Sequence, residues 1–286
     1  MTAQSGTPFR VVVNVDDLGL HPAVRRAVES CAARGSVTSA SVLANGPDLA
    51  GVRPVQGVSL GAHLNALRGV PISPAHEVRS LVDGRGRFLG SYARFAARVL
   101  AGTIDLSELR LEWSRQVAVL RDRGLLLSHV DGEKHTHCLP RILSIACEVA
   151  AEHGIPFVRR SVELYSAPRI GAGMLRRTIL NAMCRRQEVR PPLRRTTAVW
   201  GISAQGDALR LARFLREIEP KARAGASIEV VCHPGVPHRG DPALPESFGR
   251  MRVASLWEPE YQALHDEPWR EEIQARGWSI VGFEDL

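Results

Sequence analysis

The strongest constraint on the fold is a repeated order. Short β-branched runs alternate with stretches of helical spacing, and ligand-type polar residues fall directly after the runs. Residues 10–15 (RVVVNV) make a compact strand. Pro22 suits the first turn of the next helix, with Ala23, Val24, Ala27, Val28, Cys31 and Ala32 at helical spacing and Gly35 as its stop. Strands follow at 37–43 and 58–62, and helices at 92–100 and 106–123. In the second helix Leu106, Leu109, Trp113, Val117 and Leu120 form one core-facing stripe. A strand at 125–130, a helix at 140–153 closed by Gly154, a strand at 155–158, helical periodicity at 207–224 and strands at 227–232 and 278–283 complete the reading. Such alternation predicts parallel βα units in an α/β fold, wound as a barrel or as an open doubly wound sheet. No linker or internal repeat divides residues 1–286, so a single domain is expected, with an irregular Arg-rich excursion at about 160–205 where Pro, Gly and Arg break the periodicity.

A chain of 286 residues with 44% hydrophobic and 23% charged residues can bury a substantial core and is not disordered. The net charge of +7 admits nucleic acid, an anionic membrane surface or an acidic substrate as partner. The excess is uneven: residues 159–195 hold ten Arg against two Glu and no Asp. That stretch reads either as a solvated surface or as a seat for a phosphate-bearing or lipid-linked substrate, with contact to a membrane surface. Sparse aromatics and the lack of a recognition motif argue against nucleic acid. Five cysteines without a CxxC pair argue against a disulfide scaffold or structural zinc site and favour a reducing compartment. The start of the chain lacks an apolar signal segment, and no run approaches the ~18 apolar residues of a bilayer span, so a cytoplasmic location is expected. A homo-oligomer is compatible with this reading.

Four strand ends carry acids or imidazoles. Asp16-Asp17 follow the first strand, His63 the third, Asp131, Glu133, His135 and His137 the fourth, and His233 the strand 227–232. In parallel α/β architectures these ends converge on the face that holds active sites. A carboxylate pair can divide labour between holding a cation and taking a proton from water, although an isolated Asp pair also suits a turn or helix cap. A lone His63 reads equally as a packed residue. The segment SHVDGEKHTHCLP is richer, because alternate residues of an extended segment share a side and would place Glu133, His135 and His137 together. Imidazole and carboxylate ligands suit zinc or a similar divalent ion. His233, set at a strand end by the Pro-Gly turn after it, can act as a general acid. His21, His76, His153, His238 and His265 read as surface or loop residues. No GxSxG elbow, GxGxxG or Walker A loop is present, and Cys232 points away from its neighbour His233 if both lie in a strand.

Taken together, NVDDLGLHPAV, SVTSASVLANGP, GVSLGAHLNALRGVPIS, SLVDGRGRF, SHVDGEKHTHCLP, VVCHPG and IVGFEDL resemble the YdjC-like carbohydrate deacetylases. The resemblance spans nearly the whole chain in family order. It implies a distorted (β/α) barrel of parallel strands and metal-dependent hydrolysis of N-acetyl groups on amino sugars. It implies a divalent ion, Zn or Mg, with Asp17 and His63 as ligands, Asp16 as the base that activates water, and His233 as the proton donor. The third ligand departs from the family pattern D-x-H-x-H-x-H, since Glu133 stands where that pattern has its first His. Either Glu133 or His135 supplies it. Two other functions share the same residues: a metal-dependent hydrolase of another amide or ester bond, and a catalytically inactive carbohydrate- or lipid-binding module.

Overall fold

The computed structural model describes residues 7–164, 172–249 and 252–286. Among the described residues, eight strands run in chain order as β1 (Arg10–Leu18), β2 (Ser39–Val42), β3 (Ser59–Leu64), β4 (Leu127–Gly132), β5 (Phe157–Val158), β6 (Ala198–Trp200), β7 (Ser227–Cys232) and β8 (Ser279–Ile280). The helices are α1 (Pro22–Arg34), α2 (Tyr92–Leu100), α3 (Leu106–Asp122), α4 (Ile142–Glu152), α5 (Ala172–Arg185), α6 (Leu211–Ile218), α7 (Trp257–Asp266) and α8 (Trp269–Ala275). All strand pairings in the sheet are parallel, in the order β5-β4-β3-β2-β1-β7-β6. Two single-residue parallel pairings, Phe157 with Arg194 and Glu163 with Val199, bring the segment after β5 onto the β6 side. The sheet is thereby curled toward a barrel, as the family resemblance implies.

Strand β1 is the axis of this arrangement. One edge pairs with β7 from Arg10 to Val15. The other edge pairs first with β8, at Arg10 and Val11, and then with β2, from Asn14 onward. Its period-2 pattern sorts two chemistries. Val11, Val13 and Val15 join the main apolar core, as do Ala40 and Val42 of β2, Leu60, Ala62 and Leu64 of β3, and Ile228, Val230 and Cys232 of β7. The alternate residues, Asn14, Asp16, Ser39, Ser41, Ser59, His63, His129, Asp131 and Glu229, are polar and equally buried. A sheet covered by helices on its outer face needs apolar residues there, so the polar alternates line the inside of the curl. At its foot Val12, Phe157 and Phe283 form a small apolar cluster that closes the interior below the polar layers.

Several elements extend beyond the sequence reading. The segment 160–205, expected to be irregular, carries α5 and β6, while residues 165–171 of it lie outside the described residues. Leu180 and Cys184 of α5 pack against Cys138, which gives this helix an anchoring face despite its arginines. Helices α7 and α8 were not anticipated, and β8 is shorter than the apolar run 278–283 that announces it. His21 is a buried helix cap, not a loop residue: its Nδ1 accepts from Ala23 N at 3.1 Å. The five cysteines are free thiols. Among the described residues no helix is long and apolar enough to cross a membrane.

Gly61 of β3 faces the interior, where a Cβ would collide with the His129 ring. Gly61→Ala should therefore cost about 1–3 kcal/mol of stability through overpacking. Urea unfolding measures this, and an unchanged midpoint would mean that His129 can swing aside.

Candidate active site

The two aspartates of β1 reach one site because the strand is irregular there. The β1–β2 register shifts between Val15 and Leu18, and Asp17 adopts φ 66. In a regular strand, neighbours point to opposite faces. The bulge, with Asp17 in the left-handed region that aspartate tolerates, turns both carboxylates inward.

Arg159, the residue after β5, lies at the centre. It is 1% exposed. Its Nη1 and Nη2 donate to Asp16 Oδ2 and Oδ1 at 2.9 and 2.8 Å, a bidentate pair. Nη2 also lies 2.7 Å from Asp131 Oδ2, and Nε donates to Glu229 Oε1 at 2.8 Å. Asn14 Nδ2 donates to Asp16 Oδ1 at 2.8 Å, and Ser41 Oγ donates to Asp131 Oδ2 at 2.6 Å. Burial is the largest influence and opposes ionisation of Asp16 and Asp131, but the Arg159 guanidinium together with His63 outweighs it and holds both carboxyls below the usual range. Glu229 has the weaker support: burial pushes its carboxyl up to about 7 against the pull of Arg159.

His63 stands beside this network. Its Nδ1 donates to Asp131 Oδ1 at 2.6 Å, which turns Nε2 toward Asp17 Oδ1, 3.4 Å away. Burial works against its imidazolium, but Asp131 and Asp16 overcome that and raise its pKa well above the ordinary value. Asp16, His63 and Asp131 offer ligand-type atoms that all lie within 4.8 Å of one another, so they could hold a metal ion. Two further acids face the same place. Buried Asp17 Oδ1 and both Glu133 carboxylate oxygens lack a hydrogen-bond partner, although Arg68 Nε lies 3.2 Å from Glu133 Oε1. Burial raises the Glu133 carboxyl to about 7, with Arg68 pulling against it and Asp17 adding to it. Unpaired buried acid oxygens are costly unless a cation or proton satisfies them. The donor set therefore fits a divalent ion.

His135 and His137 do not line up with Glu133. Residues Glu133–Cys138 form a 3₁₀ turn, not an extended segment, with Lys134 and His135 at φ 49 and 58. Period-2 reasoning consequently fails here. The His135 Nδ1 lies 2.9 Å from Ser161 Oγ, and His137 Nε2 donates to the Arg159 carbonyl at 3.0 Å. Burial, aided by Arg159, lowers the His135 pKa to about 3, leaving a neutral ring. On the opposite side His233 Nε2 lies 3.9 Å from Asp16 Oδ2. Of the residues singled out in the sequence, the fold thus gathers Asp16, Asp17, His63, Glu133 and His233 around one interior space and turns His135 to Ser161.

The sequence reading missed Arg159, Glu229 and Glu260. Arg159 follows a strand directly, the same position that marked Asp16 and His63, but its arginine-rich neighbourhood masked it. It belongs to the interior, whereas Arg185, Arg186, Arg190, Arg194 and Arg195 are exposed. Glu229 occupies an alternate position inside the apolar run SIEVVC, where a lone acid is itself a signal.

The YdjC-like protein family model matches residues 10–275. This chain belongs to the YdjC-like family. Among its relatives, a human protein named carbohydrate deacetylase is 30% identical over 302 aligned positions, covering 97% of this chain and 91% of that one. A mouse protein of the same name is 31% identical over 277 positions, with 90% and 86% covered. A crystal structure from Enterococcus faecalis V583, described provisionally as a cellobiose-phosphate cleavage protein, superposes with a TM-score of 0.70 at 20% identity, covering 98% of this chain and 99% of that one. That likeness establishes the shared fold.

The three carboxylates around Arg159 make it indispensable to the interior. Arg159→Met would leave Asp16, Asp131 and Glu229 buried without their shared counter-ion, and should cost about 3–5 kcal/mol in chemical unfolding. A loss below about 1 kcal/mol would mean that protons can replace the guanidinium.

Proposed function

We propose that this protein is a metal-dependent hydrolase that removes the N-acetyl group from an amino-sugar-containing substrate. The observation that carries the reading is the set of buried acid oxygens on Asp17 and Glu133 that lack hydrogen bonds and lie beside His63 Nε2 and Arg68 Nε, in a chain whose relatives are named carbohydrate deacetylases. In this reading Asp17, His63 and Glu133 hold the ion, with Glu133 as the third ligand in preference to His135. Asp131 orients His63 from behind, as carboxylates commonly do for ligating imidazoles. Asp16 and Asp131 also lie within reach of His63, but Arg159 already claims both oxygens of Asp16 and one of Asp131, which favours the Asp17 side. One imidazole and two carboxylates suit zinc and harder divalent ions such as magnesium.

A divalent ion held there supplies Lewis-acid polarisation of the acetyl carbonyl. The chain's own residues do the rest. Asp16, ionised and fixed by Arg159 and Asn14, accepts the proton of the attacking water. His233, beside Asp16, donates a proton to the departing nitrogen. A C–O bond forms and the amide C–N bond breaks, giving acetate and a free amine. Burial of the site keeps these charges away from bulk water, where they would be screened.

The reading is tested by acetate release from N-acetylated sugars and lipid-linked glycans. Activity should vanish on chelation and return with a divalent ion. Asp16→Asn should lower turnover by about 10²–10⁴-fold in a variant that still folds, with a lowered unfolding midpoint because Arg159 loses one of its buried counter-ions. Near-normal turnover in that variant would remove Asp16 as the base, and metal-independent release would remove the ion.

Metal uptake should depend on pH in a set direction. The raised carboxyl of Glu133, at about 7, means that a proton competes with the ion below that pH. Affinity measured by calorimetry should thus rise with pH up to about 7, and Glu133→Gln should flatten the slope. A slope unchanged in Glu133→Gln would assign the third ligand elsewhere.

A further inference from the structure

We propose that Glu260 of α7 is the positioning residue for His233, holding the ring so that its Nε2 is the atom that delivers the proton. The inference rests on the deacetylase reading for the identity of the reaction, but its geometry is independent of the metal. Glu260 is wholly buried, and it occupies a core position of α7: Trp257, Glu260, Ala263 and Leu264 form the buried face of that helix. An acid on an apolar face needs a reason to be there.

Its two oxygens supply that reason. Oε1 accepts from Gly206 N at 2.8 Å, and Oε2 accepts from His233 N at 2.5 Å. The same Oε2 lies 3.9 Å from His233 Nδ1, a buried nitrogen that has no hydrogen-bond partner. At the far side of the ring, Nε2 lies 3.9 Å from Asp16 Oδ2. The ring is therefore strung between two carboxylates, with Nδ1 toward Glu260 and Nε2 toward the base. A carboxylate that already accepts two backbone N–H groups can only accept at Nδ1, so it keeps a proton there; the ring that acts as acid carries a second proton on Nε2, gives that one to the departing nitrogen and is left as the Nδ1–H tautomer. Distances of 3.9 Å are longer than hydrogen bonds, and such pairs commonly close when substrate binds. The backbone around the pair is also tied to α7, because Gly235 N donates to Trp257 O at 3.0 Å. A shift of α7 would thus move the imidazole.

The role predicts a dependence on leaving group. Amine departure needs His233 to give up a proton, whereas p-nitrophenolate departs from p-nitrophenyl acetate without one. In Glu260→Gln, kcat for an N-acetylated sugar should fall about 10–100-fold with KM nearly unchanged, while turnover of p-nitrophenyl acetate stays within about twofold. A residue that merely braces the fold would depress both substrates together, and that result would overturn the proposal. A double-mutant cycle with His233→Ala gives a second reading: Glu260→Gln should add nothing in that background, and additive losses would equally overturn it. Should Glu260→Gln fail to fold, Glu260→Asp carries the same two comparisons. Absence of acetate release by the parent protein from any sugar would instead sink the deacetylase reading, which separates the two failures.

Discussion

One guanidinium inside a curled sheet organises this molecule. Arg159 binds Asp16 through two hydrogen bonds and also meets Asp131 and Glu229, which come from three different strands. Without it the inner face would hold acids in a space with no water to solvate them. With it, two of those acids are held below the usual carboxyl range despite burial, and Asp16, the base of the proposed reaction, is fixed in place. The same contact holds β1, β4 and β7 together from within, complementing the apolar layer outside. Structural and chemical roles therefore fall on the same atoms.

Much of the frame is legible in the sequence, because strand and helix signals here are local. The run SIEVVC becomes β7 without adjustment, and the apolar stripe of 106–123 becomes the buried face of α3. The convergence of Asp16, His63, Glu133 and His233 follows from their place at the C-terminal ends of strands in a parallel sheet, Asp16 and His63 within the last residues of β1 and β3 and the other two just beyond β4 and β7. What escapes notice depends on facts that spacing does not carry. The left-handed φ of Asp17 and the 3₁₀ turn at Glu133–Cys138 change where side chains point without any change in residue type. Arg159 and Glu260 are charged residues in places where charge ordinarily means solvent. Only the fold reveals that each is wholly enclosed.

The site is also divided by function along its depth. Asn14, Ser41 and Asp131 lie behind Asp17 and Glu133 and use their hydrogen bonds on one another and on Asp16, Ser39, His129, His63 and Arg159. Asp17 and Glu133 lie in front with oxygens to spare. A back layer that is satisfied and a front layer that is not is the arrangement expected where binding energy is to be used on a ligand. Glu133, the position that departs from the pattern of the family resemblance, falls in that front layer.

The pairing of β1 has a consequence for how the chain comes together as it is made. Arg10 and Val11 sit against Ser279 and Ile280, and Arg10 Nη1 donates to Leu286 O at 2.8 Å. The whole β7-facing edge of the same strand waits for residues 227–232. During synthesis, β1 thus has only β2 as a near partner, because β7 and β8 follow after β3 to β6 have been made. Its apolar residues and the Asp16-Asp17 pair must stay uncommitted over that interval, since pairings so distant in sequence form slowly.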